Sequence, residues 1–186
     1  MTVELPAAPD HPALAAGFAT LLLDLLTEEE EGVRGNVFDI ELLASRLASA
    51  SAWLAQRSDV GALPLGYFGA STGAGAALTA AADLGERVGA IVSRGGRPDL
   101  ARDPGEVRAP TLLIVGGADD QVLELNRQAR RRLHCPSELV VIPGATHLFE
   151  EAGALEQVAR LAIDWFAHQL APRRPGTGDE RAAEEG

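Results

Sequence analysis

A candidate nucleophile, Ser71, lies in a G-x-S-x-G pentapeptide at residues 69–73. The apolar residues before it, Leu63–Ala70, predict a strand, and the small residues after it predict a helix. In this pattern the serine occupies a strained turn between strand and helix, and small neighbours let the two elements approach closely. A serine hydroxyl attacks a carbonyl only with the help of a base. If Ser71 is a nucleophile, it therefore requires a histidine as base, and an acid that orients the histidine, elsewhere in the chain.

The candidate partners of Ser71 are Asp119 and His147. Asp119 follows a predicted strand at Thr111–Val115, and His147 follows one at Leu139–Ile142. The chain order Ser, Asp, His is the order that the strand–turn–helix pattern requires. Because the carboxyl ends of parallel strands meet at one edge of a sheet, we expect these three side chains to cluster, with the serine within hydrogen-bonding range of the imidazole.

Each partner has an alternative interpretation. Asp119 could cap a helix, a common role of aspartate, and Asp120 competes with it for either role. His147 could be an ordinary loop residue, but it alone among the histidines follows a predicted strand. The others are His11 in an irregular segment, His134 after a basic helix end and His168 on the terminal helix.

Strands and helices alternate along the chain, which predicts an α/β fold. We expect a three-layer αβα sandwich around a mostly parallel sheet of about five strands. The apolar run at Phe18–Leu25 is typical of a strand buried on both faces, with a buried helix segment as the alternative. The remaining predicted elements are a short helix at Ala13–Ala16, a long helix at Asn36–Arg57, a helix at Thr72–Asp83, a strand at Val88–Ser93, and helices at Leu123–Leu133 and Leu155–Leu170, the last with Trp165 and Phe166 directed inward.

The segments outside this pattern predict no chemistry. Residues 1–12 are expected to form an irregular arm, residues 13–170 a single domain, and residues 171–186 a disordered tail with little to bury. The acidic run Glu28–Glu31 predicts a solvated loop rather than a metal site, because consecutive carboxylates repel and do not converge on one point.

Composition excludes several classes of partner. A net charge of −11 over 186 residues disfavours binding to nucleic acid and to anionic membrane surfaces. The single cysteine, Cys135, excludes an internal disulfide and has no metal-ligand spacing around it. No apolar stretch reaches the roughly 20 residues of a membrane helix, and the first residues lack a signal peptide's basic region. We therefore expect a cytoplasmic protein that needs no cofactor.

The chain contains three longer motifs: G-Y-F-G-A-S-T-G-A around Ser71, P-T-L-L-I-V-G-G-A-D-D-Q-V around Asp119 and V-V-I-P-G-A-T-H-L-F around His147. Together they resemble the α/β-hydrolase superfamily, and within it the dienelactone-hydrolase-like group of small, lidless enzymes. The resemblance covers roughly residues 16–170. It implies a carboxylester hydrolase with a small-molecule ester as substrate, in which Ser71 is the nucleophile, Asp119 the acid and His147 the general base. It also implies that the backbone N–H of Thr72 supplies half of the oxyanion hole.

The chain departs from this family in two respects. Dienelactone hydrolases proper use a cysteine nucleophile, so cleavage of the dienelactone itself does not carry over to Ser71. The family's first strands, one of which ends in a His-Gly loop that donates the other half of the oxyanion hole, are missing from this sequence. Losing one such donor typically costs about 10²–10³ in rate. The alternatives are therefore a catalytically silent binding or interaction domain, or a fragment of a longer, amino-terminally truncated hydrolase.

Two further expectations concern substrate and assembly. Arg94 and Arg97 follow a strand end beside Ser71, where they are either solvated surface charges or a clamp for a substrate carboxylate or phosphate. Only Gly96–Pro110 separate the next two strands, too few residues for a helical lid, so an open site for small soluble esters is predicted. Without the missing strands, one edge of the sheet is expected to be uncovered. The chain then either self-associates through this edge or needs residues from outside this sequence to complete the sheet.

Overall fold

The computed structural model describes residues 3–4 and 12–171. The arm expected at 1–12 and the disordered tail expected at 171–186 therefore lie almost wholly outside the described residues. In chain order the strands and helices are β1 Val3–Glu4, α1 Pro12–Ala15, β2 Leu22–Leu23, α2 Glu28–Glu31, α3 Arg34–Val37, α4 Ile40–Ala55, β3 Leu65–Ala70, α5 Thr72–Leu84, β4 Val88–Arg94, β5 Thr111–Gly116, α6 Asp120–Arg132, β6 Ser137–Ile142 and α7 Ala154–Gln169.

The main sheet has four parallel strands in the order β3-β4-β5-β6. Every residue of β5 is buried, which explains its nearly continuous apolar sequence. One core cluster lies between the sheet and helices α4 and α5, and a second lies between the sheet and α7. The expected αβα sandwich with a mostly parallel sheet is confirmed.

The register brings the strand ends to one edge of the sheet. Ala70 at the end of β3 pairs with Arg94 at the end of β4, and Arg94 pairs with Ile114 in β5. Gly116 at the end of β5 pairs with Ile142 at the end of β6. The residues that follow these four ends are thus neighbours in space, as the candidate site requires.

The strand expected at Phe18–Leu25 is wrong, and so is its alternative, a buried helix. Only Leu22–Leu23 is extended, and it pairs antiparallel with Val3–Glu4 rather than joining the main sheet. The sheet therefore has four strands instead of about five. Within residues 12–171 the outer edge of β3 has no strand partner, so no ladder is available to hold the run in extended form.

The apolar run instead crosses from one core to the other. The ring of Phe18 meets the ring of Phe166 edge to face, with centroids 6.3 Å apart. Leu26 is buried in the core beside α4, and Arg46 on α4 donates to the carbonyl of Leu25 at 2.8 Å. The run thus contacts helices from both layers, although Leu22 within it stays exposed. Self-association through the unpaired edge of β3 stays a prediction.

The acidic run forms a short helix, so the expectation of a loop at Glu28–Glu31 is wrong. The Thr27 hydroxyl accepts the Glu30 N–H, and the Glu30 carboxylate accepts the Thr27 N–H, which together form a capping box. Glu30 also binds Arg46 through two contacts of 2.5 and 2.6 Å. Hydrogen bonding to Arg46 lowers the pKa of Glu30 to about 2, so this carboxylate joins the run to α4.

Caps explain where several helices differ from their predicted bounds. The helix expected at residues 36–57 divides into α3 and α4, because the Asp39 carboxylate accepts the Leu42 N–H and starts a new helix. Helix α6 begins at Asp120, earlier than expected, because Asp119 caps it. None of the helices in residues 12–171 combines the length and apolarity needed to cross a bilayer.

Candidate active site

Ser71 occupies the sharp turn between β3 and α5 that the pentapeptide predicts. Its backbone has φ 49° and ψ −123°, a conformation that strongly favours glycine. Such strain persists only where the surrounding structure imposes it, and it directs the serine away from the regular path of strand and helix.

Of the two glycines in the motif, only Gly69 is required by close packing. A Cβ atom on Gly69 would lie 2.6 Å from the Gly73 carbonyl oxygen and 2.7 Å from the Ala74 Cα. A Cβ atom on Gly73 would meet nothing within 4 Å. Gly69 therefore sets the approach of β3 and α5, which forces the turn at Ser71.

The turn after β4 holds the backbone of Ser71 on both sides. The Ser71 N–H donates to the Arg94 carbonyl at 3.3 Å, and the Arg97 N–H donates to the Ser71 carbonyl at 3.0 Å. Thr72 is the first residue of α5, where a backbone N–H has no partner inside the helix. That N–H lies at the positive end of the helix dipole, a position that favours negative charge nearby.

Asp119 and His147 are in direct contact. The Asp119 Oδ2 lies 2.7 Å from the His147 Nδ1, while the Asp119 Oδ1 accepts the Val122 N–H at 3.3 Å. The carboxylate therefore caps α6 and orients the imidazole at the same time, so the two interpretations of Asp119 are compatible. Asp120 is exposed and makes no side-chain hydrogen bond within residues 12–171.

Ser71 and His147 flank the same short stretch of backbone. Gly95 follows Arg94, whose carbonyl binds Ser71, and a Cβ atom on Gly95 would lie 3.6 Å from the His147 Nδ1. Among residues 12–171 the Ser71 hydroxyl makes no hydrogen bond, so the expected serine–imidazole contact stays a prediction. His134 and His168 are exposed, and His11 lies outside the described residues.

Phe149 is a site residue to which the sequence analysis assigned no role. It is fully buried, and its φ of 58° makes it, with Ser71, one of two non-glycine residues at positive φ in the described chain. A Cβ atom on Gly95 would lie 3.3 Å from its ring. Glu151 closes the same loop by accepting the Thr146 N–H at 3.0 Å, which lowers the pKa of its carboxyl. Phe149 and Glu151 thus hold the loop that carries His147.

The two candidate arginines differ in their environments. The Arg97 guanidinium makes two hydrogen bonds of 2.8 Å with the Asp99 carboxylate. Arg94 has no acidic partner within residues 12–171. Its guanidinium carbon lies 5.6 Å from the centroid of the Phe149 ring, and burial lowers its pKa. Arg94 is therefore the less neutralised of the two guanidinium groups.

Comparison with known proteins identifies relatives over most of the chain, although no family model matches it. The crystal structure of dienelactone hydrolase from Anabaena variabilis has 56% sequence identity and a TM-score of 0.80, over 86% of this chain and 76% of that one. A dienelactone-hydrolase-like promiscuous phosphotriesterase from metagenomic libraries shares the fold, with a TM-score of 0.69 at 20% identity over 83% of this chain and 76% of that one.

Proteins from two strains of Mycobacterium tuberculosis are 67% identical over 156 residues. They carry the name "Putative phosphoribosyl transferase", and the match covers 83% of this chain but only 35% of theirs. The chain thus spans about a third of the length of these relatives. The identity and coverage shared with the Anabaena enzyme show that this chain belongs to the dienelactone hydrolase family of α/β hydrolases.

Proposed function

We propose that the chain is a serine hydrolase of small, soluble carboxylic esters, with Ser71, Asp119 and His147 as its triad. The observation that carries the proposal is the 2.7 Å contact between Asp119 and His147 beside a serine held at φ 49°. An acid in contact with a base, and a strained serine, each following the end of a parallel strand of one sheet, are the components of acyl transfer.

In the proposed mechanism Asp119 accepts the Nδ1–H of His147, which leaves Nε2 as the base. Nε2 takes the Ser71 proton as the serine oxygen attacks the ester carbonyl, and the Thr72 N–H stabilises the resulting oxyanion. The alcohol leaves with the proton from Nε2, and an acyl group remains on Ser71. His147 then removes a proton from water, which attacks the acyl group and releases the acid and free Ser71.

The connection between β4 and β5 supports small substrates. Within Gly96–Pro110 the chain forms only two short 3₁₀ turns, at Pro98–Leu100 and Pro104–Glu106. A segment of this kind cannot fold over the site as a helical lid, so the proposed substrates are small esters free in solution rather than lipids.

Arg94 favours esters that carry a carboxylate or phosphate, because Asp99 already neutralises Arg97. We expect Arg94→Met to lower kcat/KM for a succinate monoester roughly 10- to 100-fold, since a hydrogen bond to a charged group contributes about 1.5–3 kcal/mol. The neutral acetate ester of the same alcohol should react at a nearly unchanged rate. Arg97→Met is the matched control, and equal losses on both esters would contradict a role in anion recognition.

A catalytically silent binding domain is the second candidate. It is favoured by two features of residues 12–171: the Ser71 hydroxyl makes no hydrogen bond there, and Thr72 is the single candidate oxyanion donor among them. The two candidates differ in covalent reactivity, because only an activated serine reacts rapidly with a phosphonate.

The test combines turnover with covalent labelling. The protein is assayed with short-chain p-nitrophenyl esters and treated with a fluorophosphonate, and the adduct is located by peptide mass spectrometry. The proposal expects turnover and a single adduct on Ser71. The absence of both turnover and an adduct would favour the silent domain. An adduct on another residue would refute the assignment of the nucleophile.

A further inference from the structure

Asn126 is a fully buried amide on α6, the helix that Asp119 caps. Its Nδ2 donates to the Gly96 carbonyl at 2.9 Å and to the Val122 carbonyl at 2.8 Å. Within the described chain its Oδ1 is buried and has no hydrogen-bond partner. Burying an amide without hydrogen bonds lowers the free energy of unfolding, so the two bonds that Nδ2 donates offset the cost of burying Asn126.

The orientation of this amide is fixed by its partners. Both contacts of Nδ2 are carbonyl oxygens, which only accept hydrogen bonds, so a flipped amide would place Oδ1 against two acceptors. The bond to Val122 stays within α6, whereas the bond to Gly96 joins α6 to the turn after β4. Asn126 therefore acts as a donor between two separate parts of the fold.

The turn that Asn126 holds is tightly packed. A Cβ atom on Gly96 would lie 2.0 Å from the Ser93 Oγ and 2.5 Å from the Ala74 Cβ. Gly96 is thus enclosed by β4, α5 and α6, and its carbonyl is directed at Asn126. These close approaches limit movement of the turn toward Ser93 and Ala74, and movement away from α6 would lengthen the hydrogen bond to Asn126.

The same turn contacts both the proposed nucleophile and the proposed base. The Arg97 N–H donates to the Ser71 carbonyl at 3.0 Å. A Cβ atom on Gly95 would lie 3.3 Å from the His147 carbonyl oxygen and 3.6 Å from its Nδ1. Gly96 lies between these two contacts, so its position affects the separation of Ser71 from the imidazole.

We infer that Asn126 is a positioning residue of the site. Through the Gly96 carbonyl it holds the Gly95–Arg97 turn and thereby sets the distance between the Ser71 hydroxyl and His147. The structural part of this inference stands on the hydrogen bonds alone, and the kinetic part rests on the proposed hydrolase function. In a well-organised site a misplacement of about 1 Å can cost about 100-fold in rate.

Ser51 provides a matched control for the loss of a buried hydrogen bond. It is 3% exposed, and its hydroxyl contacts the Tyr67 hydroxyl at 2.7 Å and the Leu47 carbonyl at 2.9 Å. It links α4 to β3 as Asn126 links α6 to the turn, but it contacts no residue of that turn. Ser51→Ala should therefore lower stability without changing the site.

The experiment compares Asn126→Leu, Asn126→Asp and Ser51→Ala with the parent chain. Asn126→Leu removes the donor at similar volume, and Asn126→Asp keeps the shape but places an acceptor against the Gly96 carbonyl. We expect hydrogen exchange of the Arg97 amide to accelerate roughly tenfold in both Asn126 variants, as for the loss of one hydrogen bond. We also expect kcat for an aryl ester to fall roughly 10- to 100-fold with KM within about twofold. Ser51→Ala should change neither quantity.

Each outcome decides a separate part of the inference. Unchanged Arg97 exchange and unchanged kcat in a folded Asn126 variant would overturn it. If the Arg97 amide exchanges faster in the Asn126 variants but neither the parent nor any variant hydrolyses esters, the result supports the role of Asn126 in holding the turn and refutes the proposed function. If Asn126→Leu does not fold, Asn126→Asp decides, since it preserves the size of the buried side chain.

Discussion

Replacing Ser71 with alanine is expected to lower kcat for a short-chain aryl ester about 10⁶-fold, the loss typical of removing a triad serine. No acyl intermediate can form without the Ser71 oxygen, and the neighbouring Thr72 hydroxyl belongs to the regular first turn of α5. Steady-state rates of the purified variant, measured beside the parent, check this result.

Two further variants make this prediction specific. Thr72→Ala keeps the backbone N–H and should retain activity within a few-fold, which distinguishes the two adjacent hydroxyls. Ser71→Gly should be inactive, but its free energy of unfolding, measured with denaturant, should exceed that of Ser71→Ala by about 1 kcal/mol, because glycine adopts φ 49° without strain. Turnover that survives in Ser71→Ala would show that another group carries the chemistry.

Replacing Asp119 with asparagine is expected to lower kcat about 10⁴-fold, as when a triad acid no longer holds the histidine tautomer. The asparagine side-chain oxygen can still accept the Val122 N–H, so α6 keeps its cap and the variant should unfold close to the parent's midpoint. A loss of activity without a loss of stability would separate the catalytic role of Asp119 from its capping role.

Asp120→Asn is the matched control for this prediction. It removes the same charge one residue further along, from an exposed side chain that makes no contact with His147 in residues 12–171. Its kcat should stay within a few-fold of the parent. Equal losses in Asp119→Asn and Asp120→Asn would indicate an effect of net charge and would contradict the proposed triad.

The loop after β6 shows how strain is distributed around the site. Ser71 and Phe149, the two non-glycine residues at positive φ in the described chain, both lie beside the Arg94–Gly95 backbone: the Ser71 N–H donates to the Arg94 carbonyl, and a Cβ atom on Gly95 would lie 3.3 Å from the Phe149 ring. Strained conformations of this kind cost on the order of 1–3 kcal/mol each and persist because packing imposes them. Their location beside the end of β4 supports the proposal of a functional site there.

The sequence by itself determined the elements whose signals are local. The apolar run before Ser71 and the small residues after it specify a strand, a turn and a helix within 20 residues or so, and the structure contains β3 and α5 at that place. The positions of Asp119 and His147 after strands also follow from local patterns. Parallel topology then brings those positions to one edge.

The same reasoning failed at Phe18–Leu25, where the local signal was equally strong. An apolar run becomes a strand only if a neighbouring strand accepts its hydrogen bonds, and that neighbour is a tertiary property. Within residues 12–171 none lies beside it in the main sheet, and the run docks on Phe166 and α4 instead.

Only the tertiary structure decided which of several equivalent residues meet at the site. In the sequence Asp120 competes with Asp119 for the same roles, but in the structure the Asp119 carboxylate caps α6 and contacts His147, whereas Asp120 is exposed. Arg94 and Arg97 differ because Asp99 pairs with the second alone. Asn126 gave no sequence signal, since its partner is the Gly96 carbonyl, 30 positions away, and backbone acceptors exist at every residue. Such choices depend on angstrom-scale contacts between distant segments, which local propensity and periodicity do not encode.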